Sequence, residues 1–364
     1  MALDSDTATE FRRVVRDSMN AILARPGTRP ELAASGYSDS AWATARDGGW
    51  LEVLVPESAG GAGLGLQDYA PILSEAGAHL FGGPLIENGA ALRAISTHAP
   101  DRVDLLHQFA HAPLAIVDSA ATGDRLLVSD DGVLTAELPA VRFATSARWL
   151  LVAYVRRGNG PEVAVVDARS SAAEASLRPS FDPYSGYAAL RFDALRPAAS
   201  EIVLSGAQAQ ALVADLRAAA RLLASCELSG LAARALDMSV EYAHQRRQFG
   251  RTIGSFQAIQ QILADMTVRT LSLQAMCQAA LKRADGARGA FCRVANVAKA
   301  YAAVAAREVV EAALQVHGGI AFTREFGLGS YYTHALALQG YYGDHHQHMS
   351  ELGEQLISGE VVVA

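Results

Sequence analysis

Tyr242-Ala-His-Gln-Arg-Arg-Gln-Phe-Gly-Arg-Thr-Ile-Gly-Ser-Phe-Gln257, continued by Ala264-Asp265-Met266, is the most informative stretch of the 364-residue chain. A long helical pattern without proline runs from Ala207 to about Arg246. It ends in two arginines, Arg246 and Arg247, before a Phe249-Gly250 turn and a third arginine, Arg251. A new helix is expected to open at Ser255, a residue type suited to N-capping. Three guanidinium groups this close repel one another unless solvent or an anion screens them, and their forks match phosphate oxygens. Spacing alone favours the plainer alternative, a solvated basic helix end. A second stretch, Leu314-Gln-Val-His-Gly-Gly-Ile-Ala-Phe322, places a glycine pair at a helix end. Gly318 and Gly319 could form a C-cap. They could equally let backbone amides approach a phosphate or ribose closely.

Outward from these stretches the chain changes character twice. Residues 1–112 read as helical. Thr7 and Glu10 form a capping-box pair, and Phe11, Val14, Val15, Met19 and Ile22 recur at helical spacing. Helices are expected over Ala41–Gly48 and Leu66–Ala78, separated by the glycine-rich segment from Trp50 to Gly65. Residues 113–204 carry strand-like runs at Leu114–Val117, Arg125–Val128, Trp149–Val155 and Glu162–Val166, with a hairpin turn at Gly158-Asn159-Gly160. Residues 205–364 are helical again, with helices expected over Ser255–Ala284, Ala290–Val316 and Tyr331–Leu338. Three domains follow: an N-terminal helical one, a short middle β domain and a C-terminal four-helix one, an α+β fold.

Composition narrows the possible functions. The chain is 51% hydrophobic and 19% charged, so it can bury a large core and is not a disordered tail. Its net charge of −7 gives no electrostatic footprint for nucleic acid. No apolar run approaches the ~18 residues of a membrane-spanning helix. Cys226, Cys277 and Cys292 lie far apart and make neither a disulfide framework nor a zinc spacing, as expected in a reducing cytoplasm. The first 25 residues are charged and amphipathic, unlike a signal peptide.

Taken in order, the motifs resemble those of the acyl-CoA dehydrogenase family over nearly the whole length. The matching residues are Val55-Pro-Glu57 with Gly60-Gly-Ala-Gly63, Arg246-Arg-Gln-Phe-Gly250, Phe256-Gln257, Ala264-Asp-Met266 and Gln315-Val-His-Gly-Gly319 with Phe322-Thr-Arg-Glu325. The resemblance implies FAD, an acyl-CoA thioester substrate, a dimer of dimers and transfer of electrons to an electron-transfer flavoprotein. It implies that Arg246 reaches across a dimer interface to the FAD pyrophosphate, with Gln248, Phe249 and Gln257 beside it. Gln315, Gly318 and Gly319 would contact the ADP half.

The departures from the family are equally informative. The family's reaction removes an α proton with a glutamate while the β hydride goes to the flavin. Counted without gaps from Gly318, the usual glutamate position is Tyr342, in Tyr341-Tyr-Gly-Asp344. The alternative position, counted back from Arg246, is Ala220, beside Arg221. A phenol with a pKa near ~10 is a poor base at neutral pH. Asp344 and Glu227 lie close in sequence and are the candidate displaced bases, although a structural or solvent-facing role is the plainer expectation for both. The middle domain has no Thr-Glu-Pro…Gly-Ser-Asp stretch; the chain passes through Ser119–Gly123 without it, and Phe143–Trp149 is at best a remnant of a ring-contacting strand. In Asp344-His-His-Gln-His348, His345 and His348 would share a helix face, but no further ligand pair suggests a metal.

The chain thus resembles the subunit lacking the glutamate in heteromeric actinobacterial enzymes of steroid side-chain degradation. Those pair a catalytic and a non-catalytic chain as α2β2, with one flavin per heterodimer. The alternatives are a homo-oligomeric flavoenzyme with a relocated base and a flavin-free scaffold on the same fold.

Overall fold

The computed structural model describes residues 5–23, 35–118, 126–129, 131–284 and 288–358. They form two compact units. The first comprises residues 1–72 and 81–223, and the second residues 73–80 and 224–364.

The first unit opens with α1 (Ser5–Leu23), α2 (Asp39–Asp47), the start of α3 (Leu66–His79), α4 (Leu85–His98) and α5 (Val103–His111). Helix α1 runs from Ser5 through Thr7 and Glu10, and Glu10 pairs with Arg13 one turn on. Val15 and Met19 are buried and Val14 is exposed, while the side chains of Phe11 and Ile22 lie outside the described residues. Helix α2 has a real cap, since the Ser38 hydroxyl accepts from the Ala41 N–H.

Strands β1 (Leu114–Val117), β2 (Leu127–Val128), β3 (Leu134–Arg142), β4 (Trp149–Arg156), β5 (Gly160–Asp167), β6 (Ala173–Leu177), β7 (Tyr187–Leu195) and β8 (Ile202–Ser205) build one sheet. Its order is β6-β7-β3-β2-β4-β5-β8, with β1 parallel to β4. Hairpin β4–β5 pairs Trp149 with Asp167 through to Arg156 with Gly160, around the expected turn. Val117, Leu134, Leu138, Leu150, Val152, Val166, Leu190 and Phe192 form the core. Asn88 ties α4 to the sheet's entry: its amide donates to the Phe109 and Ala112 carbonyls (2.6 and 2.8 Å) and accepts from the Leu114 N–H.

The second unit is helical. After α6 (Gly206–Gln245), whose first part belongs to the first unit, come the two-residue strands β9 (Arg247–Gln248) and β10 (Arg251–Thr252). Helices α7 (Gln257–Leu281), α8 (Arg288–His317), α9 (Leu328–Gly340) and α10 (His345–Ile357) follow. Ser255 does not cap α7. Its hydroxyl donates to the Thr252 carbonyl at 2.7 Å, and Phe256 occupies the cap position. Helices α3 and α6 cross backbone to backbone: a Cβ at Gly77 would lie 1.9 Å from the Glu227 carbonyl oxygen, and one at Gly230 would lie 1.7 Å from that of Ser74. Helix α9 is fastened to the same crossing, because the Tyr331 hydroxyl donates to the Ala78 carbonyl (2.8 Å). Cys226 and Cys277 are buried free thiols, and the hydrogen bond between them, with burial, pushes Cys226 well above its ordinary pKa. Among the described residues no helix is long and apolar enough to cross a membrane.

Gly230→Ala places a methyl group against backbone that cannot rotate away. It is expected to cost about 2–3 kcal/mol, at the upper end for overpacking, read as a lower urea midpoint with an unchanged slope.

Candidate functional site

The arginine segment is a strained hairpin. The Arg246 N–H donates to the Tyr242 carbonyl and the Arg246 carbonyl accepts from the Ile253 N–H, both at 2.8 Å, which closes its base. Gln248 pairs with Arg251 and Arg247 with Thr252 across the ladder. The turn residues Phe249 (φ 50°) and Gly250 (φ 80°) are both left-handed, as a two-residue hairpin requires. Phe249 takes this conformation at a cost of roughly 1–2 kcal/mol, and its side chain is 92% exposed. Its ring meets only the edge of Phe256 (6.2 Å), and the Arg251 guanidinium lies 4.0 Å over that Phe256 ring. Arg247 reaches the Gly250 carbonyl at 3.4 Å. Arg246 is exposed and makes no side-chain hydrogen bond or ion pair with a described residue.

The second segment ends α8. Gln315 is exposed, Gly318 turns the chain at φ 64°, and residues Gly318–Phe322 form a 3-10 turn. Gly319 is different: its φ is not left-handed and no atom of a described residue lies within 4 Å of where a Cβ would stand, so nothing among the described residues requires glycine there. The two segments meet through rings. His317 stacks on Tyr242 at 4.5 Å and 28°, with Phe326 at 4.8 Å on the imidazole. Tyr242 precedes Arg246 by one turn, and His317 adjoins Gly318. Arg246, Gln248 and Phe249 are thereby placed on the hairpin, Gln315, Gly318 and Gly319 on the segment bound to it, and Gln257 at the exposed start of α7. Sequence reasoning did not single out Tyr242, His317 or Phe326. Burial pushes the His317 imidazole below its ordinary pKa, against the Ala313 and Met238 carbonyls that favour the cation.

Neither expected base position carries a carboxylate, and the nearby carboxylates are engaged. Ala220 is buried. Tyr342 is 1% exposed, at φ 58°, with the Tyr341 ring 4.6 Å away. Its turn is clamped from α8. The buried Lys299 ammonium donates to the Gln339 and Gly343 carbonyls (2.7 and 3.1 Å), and His348 Nε2 donates to the Gly343 carbonyl (3.0 Å). His345 Nδ1 donates to the Ala300 carbonyl (3.0 Å), so both histidines bond backbone. Asp344 is the N-cap of α10: its carboxylate accepts from the Gln347 N–H (2.9 Å), and that bond holds its pKa below the usual range. Glu227 is buried and hydrogen-bonds His334 Nε2 at 2.8 Å. In the middle region Phe143 is buried at φ 56°, and Arg148 is committed to Asp167 and to the Trp149 ring. Ser119–Gly123 lies outside the described residues.

Residues 214–357 match the family model for the acyl-CoA dehydrogenase C-terminal domain, and residues 5–103 match that for the N-terminal domain. The chain belongs to the acyl-CoA dehydrogenase family. Its helical–β–helical order is that of the family fold. It is 27% identical over 335 residues to acyl-CoA dehydrogenase IpdE2 of Mycolicibacterium smegmatis, covering 90% of this chain and 93% of that one. A variant of the Tcur3481-Tcur3483 steroid ACAD superposes with a TM-score of 0.84 at 26% identity, over 98% of this chain and 99% of that one. The ChsE4-ChsE5 complex from Mycobacterium tuberculosis shares the fold with a TM-score of 0.84 at 22% identity, over 99% of both chains.

Two measurements check the site's local physics. Asp344→Ala is expected to cost about 1 kcal/mol at pH 7 through the lost cap. The folded-state pKa of Asp344 lies below its unfolded value. Its contribution is therefore complete above an unfolded pKa of ~3.9 and is lost as pH falls through the folded value, so wild type and variant should converge in acid. Phe249→Asn removes left-handed strain and little packing, and should raise the stability of the isolated chain by about 1 kcal/mol in denaturant titration.

Proposed function

We propose that this chain is the base-less subunit of a heteromeric, FAD-dependent acyl-CoA dehydrogenase. It pairs with a paralogous chain that carries the catalytic glutamate, in an α2β2 assembly acting on steroid side-chain CoA thioesters. The observation that carries this is a mismatch. Asp344 and Glu227, the two candidate displaced bases, already hold a helix cap and a buried histidine, whereas the Arg246 guanidinium and the open side of Gly319 meet no described residue.

These residues fit a flavin dinucleotide. Arg246 is an uncommitted guanidinium suited to a pyrophosphate, and Gly319 leaves open space where a Cβ would stand. Gln315 offers an exposed amide at the same segment. Bound FAD would supply the hydride acceptor for the β carbon. This chain would grip the dinucleotide, and the partner's carboxylate would hold the α proton. Of the residues where ring contacts would stand, Phe143 is buried and Arg148 is paired with Asp167, which supports a flavin shared with a neighbour. The steroid assignment draws on the name of the steroid ACAD relative. Reduced flavin would pass its electrons to an electron-transfer flavoprotein.

Co-expression with a paralogous chain carrying the glutamate, followed by flavin stoichiometry and steady-state acyl-CoA oxidation with an artificial acceptor, tests the proposal. The chain alone should hold little FAD and the complex about one per heterodimer. Arg246→Ala should weaken FAD binding about ten- to hundredfold, the equivalent of a charge-assisted bond of roughly 1.5–3 kcal/mol. Tyr342→Phe, Asp344→Asn and Glu227→Gln should each leave turnover within a few-fold, because a general base contributes ~10²–10⁴-fold. Changing the partner's glutamate to glutamine should abolish turnover. Stoichiometric FAD in the isolated chain, or a loss beyond about a hundredfold in any of those three variants with flavin intact, would refute it.

A further inference from the structure

We propose that His317 is a positioning residue for the dinucleotide: its ring sets the distance between the arginine hairpin and the glycine pair, so that both grips engage one ligand. The inference rests on the flavin function proposed above. Tyr242 connects directly to the hairpin, since its carbonyl accepts the Arg246 N–H at 2.8 Å. His317 connects directly to the other grip, because it immediately precedes Gly318, where the chain turns out of α8 at φ 64°. The imidazole lies 4.5 Å from the Tyr242 ring at 28°, and Phe326 closes the cluster at 4.8 Å from His317 and 6.2 Å from Tyr242. Three rings, from α6, α8 and the segment before α9, therefore lock the ends of two helices.

The hydrogen bonding distinguishes this histidine from a generic core aromatic ring. Nδ1 donates to the Ala313 carbonyl at 2.8 Å, which fixes the tautomer and stops the ring turning about its own bond. Nε2 is buried and makes no hydrogen bond of good geometry, the Met238 carbonyl acting on the ring less than that of Ala313, a cost that phenylalanine would avoid. Packing alone would select the apolar ring. Orientation of the stack accounts for the histidine. A ligand held at two points is sensitive to small changes in their separation, whereas a ligand held at one point is not.

That asymmetry supplies the test: a double-mutant cycle on FAD affinity in the two-chain complex, followed by flavin fluorescence. His317→Ala should weaken FAD binding about tenfold, the scale of a lost aromatic stack. With Arg246→Ala already present only one grip remains, so adding His317→Ala should weaken binding less than twofold further. His317→Phe, which restores a ring but not the Ala313 bond that orients it, should recover only part of the affinity. If His317→Ala disrupts assembly, Tyr242→Leu cuts the same stack from the other side and takes its place in the cycle. Multiplicative losses in the double variant, an unchanged FAD dissociation constant in His317→Ala, or full recovery of affinity in His317→Phe would each overturn the inference. An Arg246→Ala variant with unaltered FAD affinity would instead overturn the flavin function itself.

Discussion

The crossing of α3 and α6 at Gly77 and Gly230 is the contact from which the second unit is built. Each glycine sits where a methyl group would overlap a carbonyl oxygen of the other helix. The two backbones can approach this closely only because both positions lack a Cβ. From that contact α9 is placed by two bonds, Tyr331 to the Ala78 carbonyl and His334 to Glu227. The end of α9 then fixes the Tyr342 turn, which Lys299 and His348 clamp from below. Position 342 is therefore determined by a chain of contacts that begins at two glycines far from it in sequence.

That dependence also constrains the two carboxylates nearest the turn and the helix. Asp344 is two residues from Tyr342, yet its carboxylate caps α10, and releasing it would leave the Gln347 N–H unsatisfied at a helix N-terminus. Glu227 shares a helix face with Ala220, two turns along, but it is buried against His334. Using it as a base would strip a buried histidine of its partner, and such pairs are expensive to break. Lys299 adds a further constraint. A buried ammonium beside position 342 is held by carbonyls at the negative end of α9, so the turn is stabilised electrostatically as it stands.

Much of this was legible in the sequence, for reasons that differ by element. Helix α6 and hairpin β4–β5 declared themselves through periodicity and a Gly-Asn-Gly turn. Strands β3, β6 and β7 did not. Strand β6 is Ala-Glu-Ala-Ser-Leu, without a β-branched residue, and β3 contains Pro139 and register shifts; both are strands because β7 pairs with each of them. Ser255 looked like a cap because its neighbour's carbonyl, which takes the hydroxyl, belongs to a hairpin that spacing did not reveal. The arginine and glycine motifs were visible as motifs, but the stack joining them was not, since Tyr242 and His317 are seventy-five positions apart. One signal was available for Lys299: only two lysines occur beside 29 arginines, so a lysine in this chain stands where a compact point charge is wanted and a fork is not.

The free-energy balance of the hairpin points beyond the chain. Phe249 carries the cost of a left-handed backbone, and its exposed ring recovers almost none of it. Burying a phenylalanine side chain gains roughly 1.5–3 kcal/mol, enough to offset that strain only when a second molecule covers the ring. Phe322, 75% exposed on the neighbouring 3-10 turn, and Ile320 beside it, 41% exposed, add uncovered apolar surface without that strain. Gly319 gives up helix propensity at a position where none of the described residues needs the space. A strained aromatic, an uncommitted guanidinium and an open glycine on two segments locked by one ring stack are each unfavourable alone. Together they describe a surface whose local strain would be offset by contact with a second molecule.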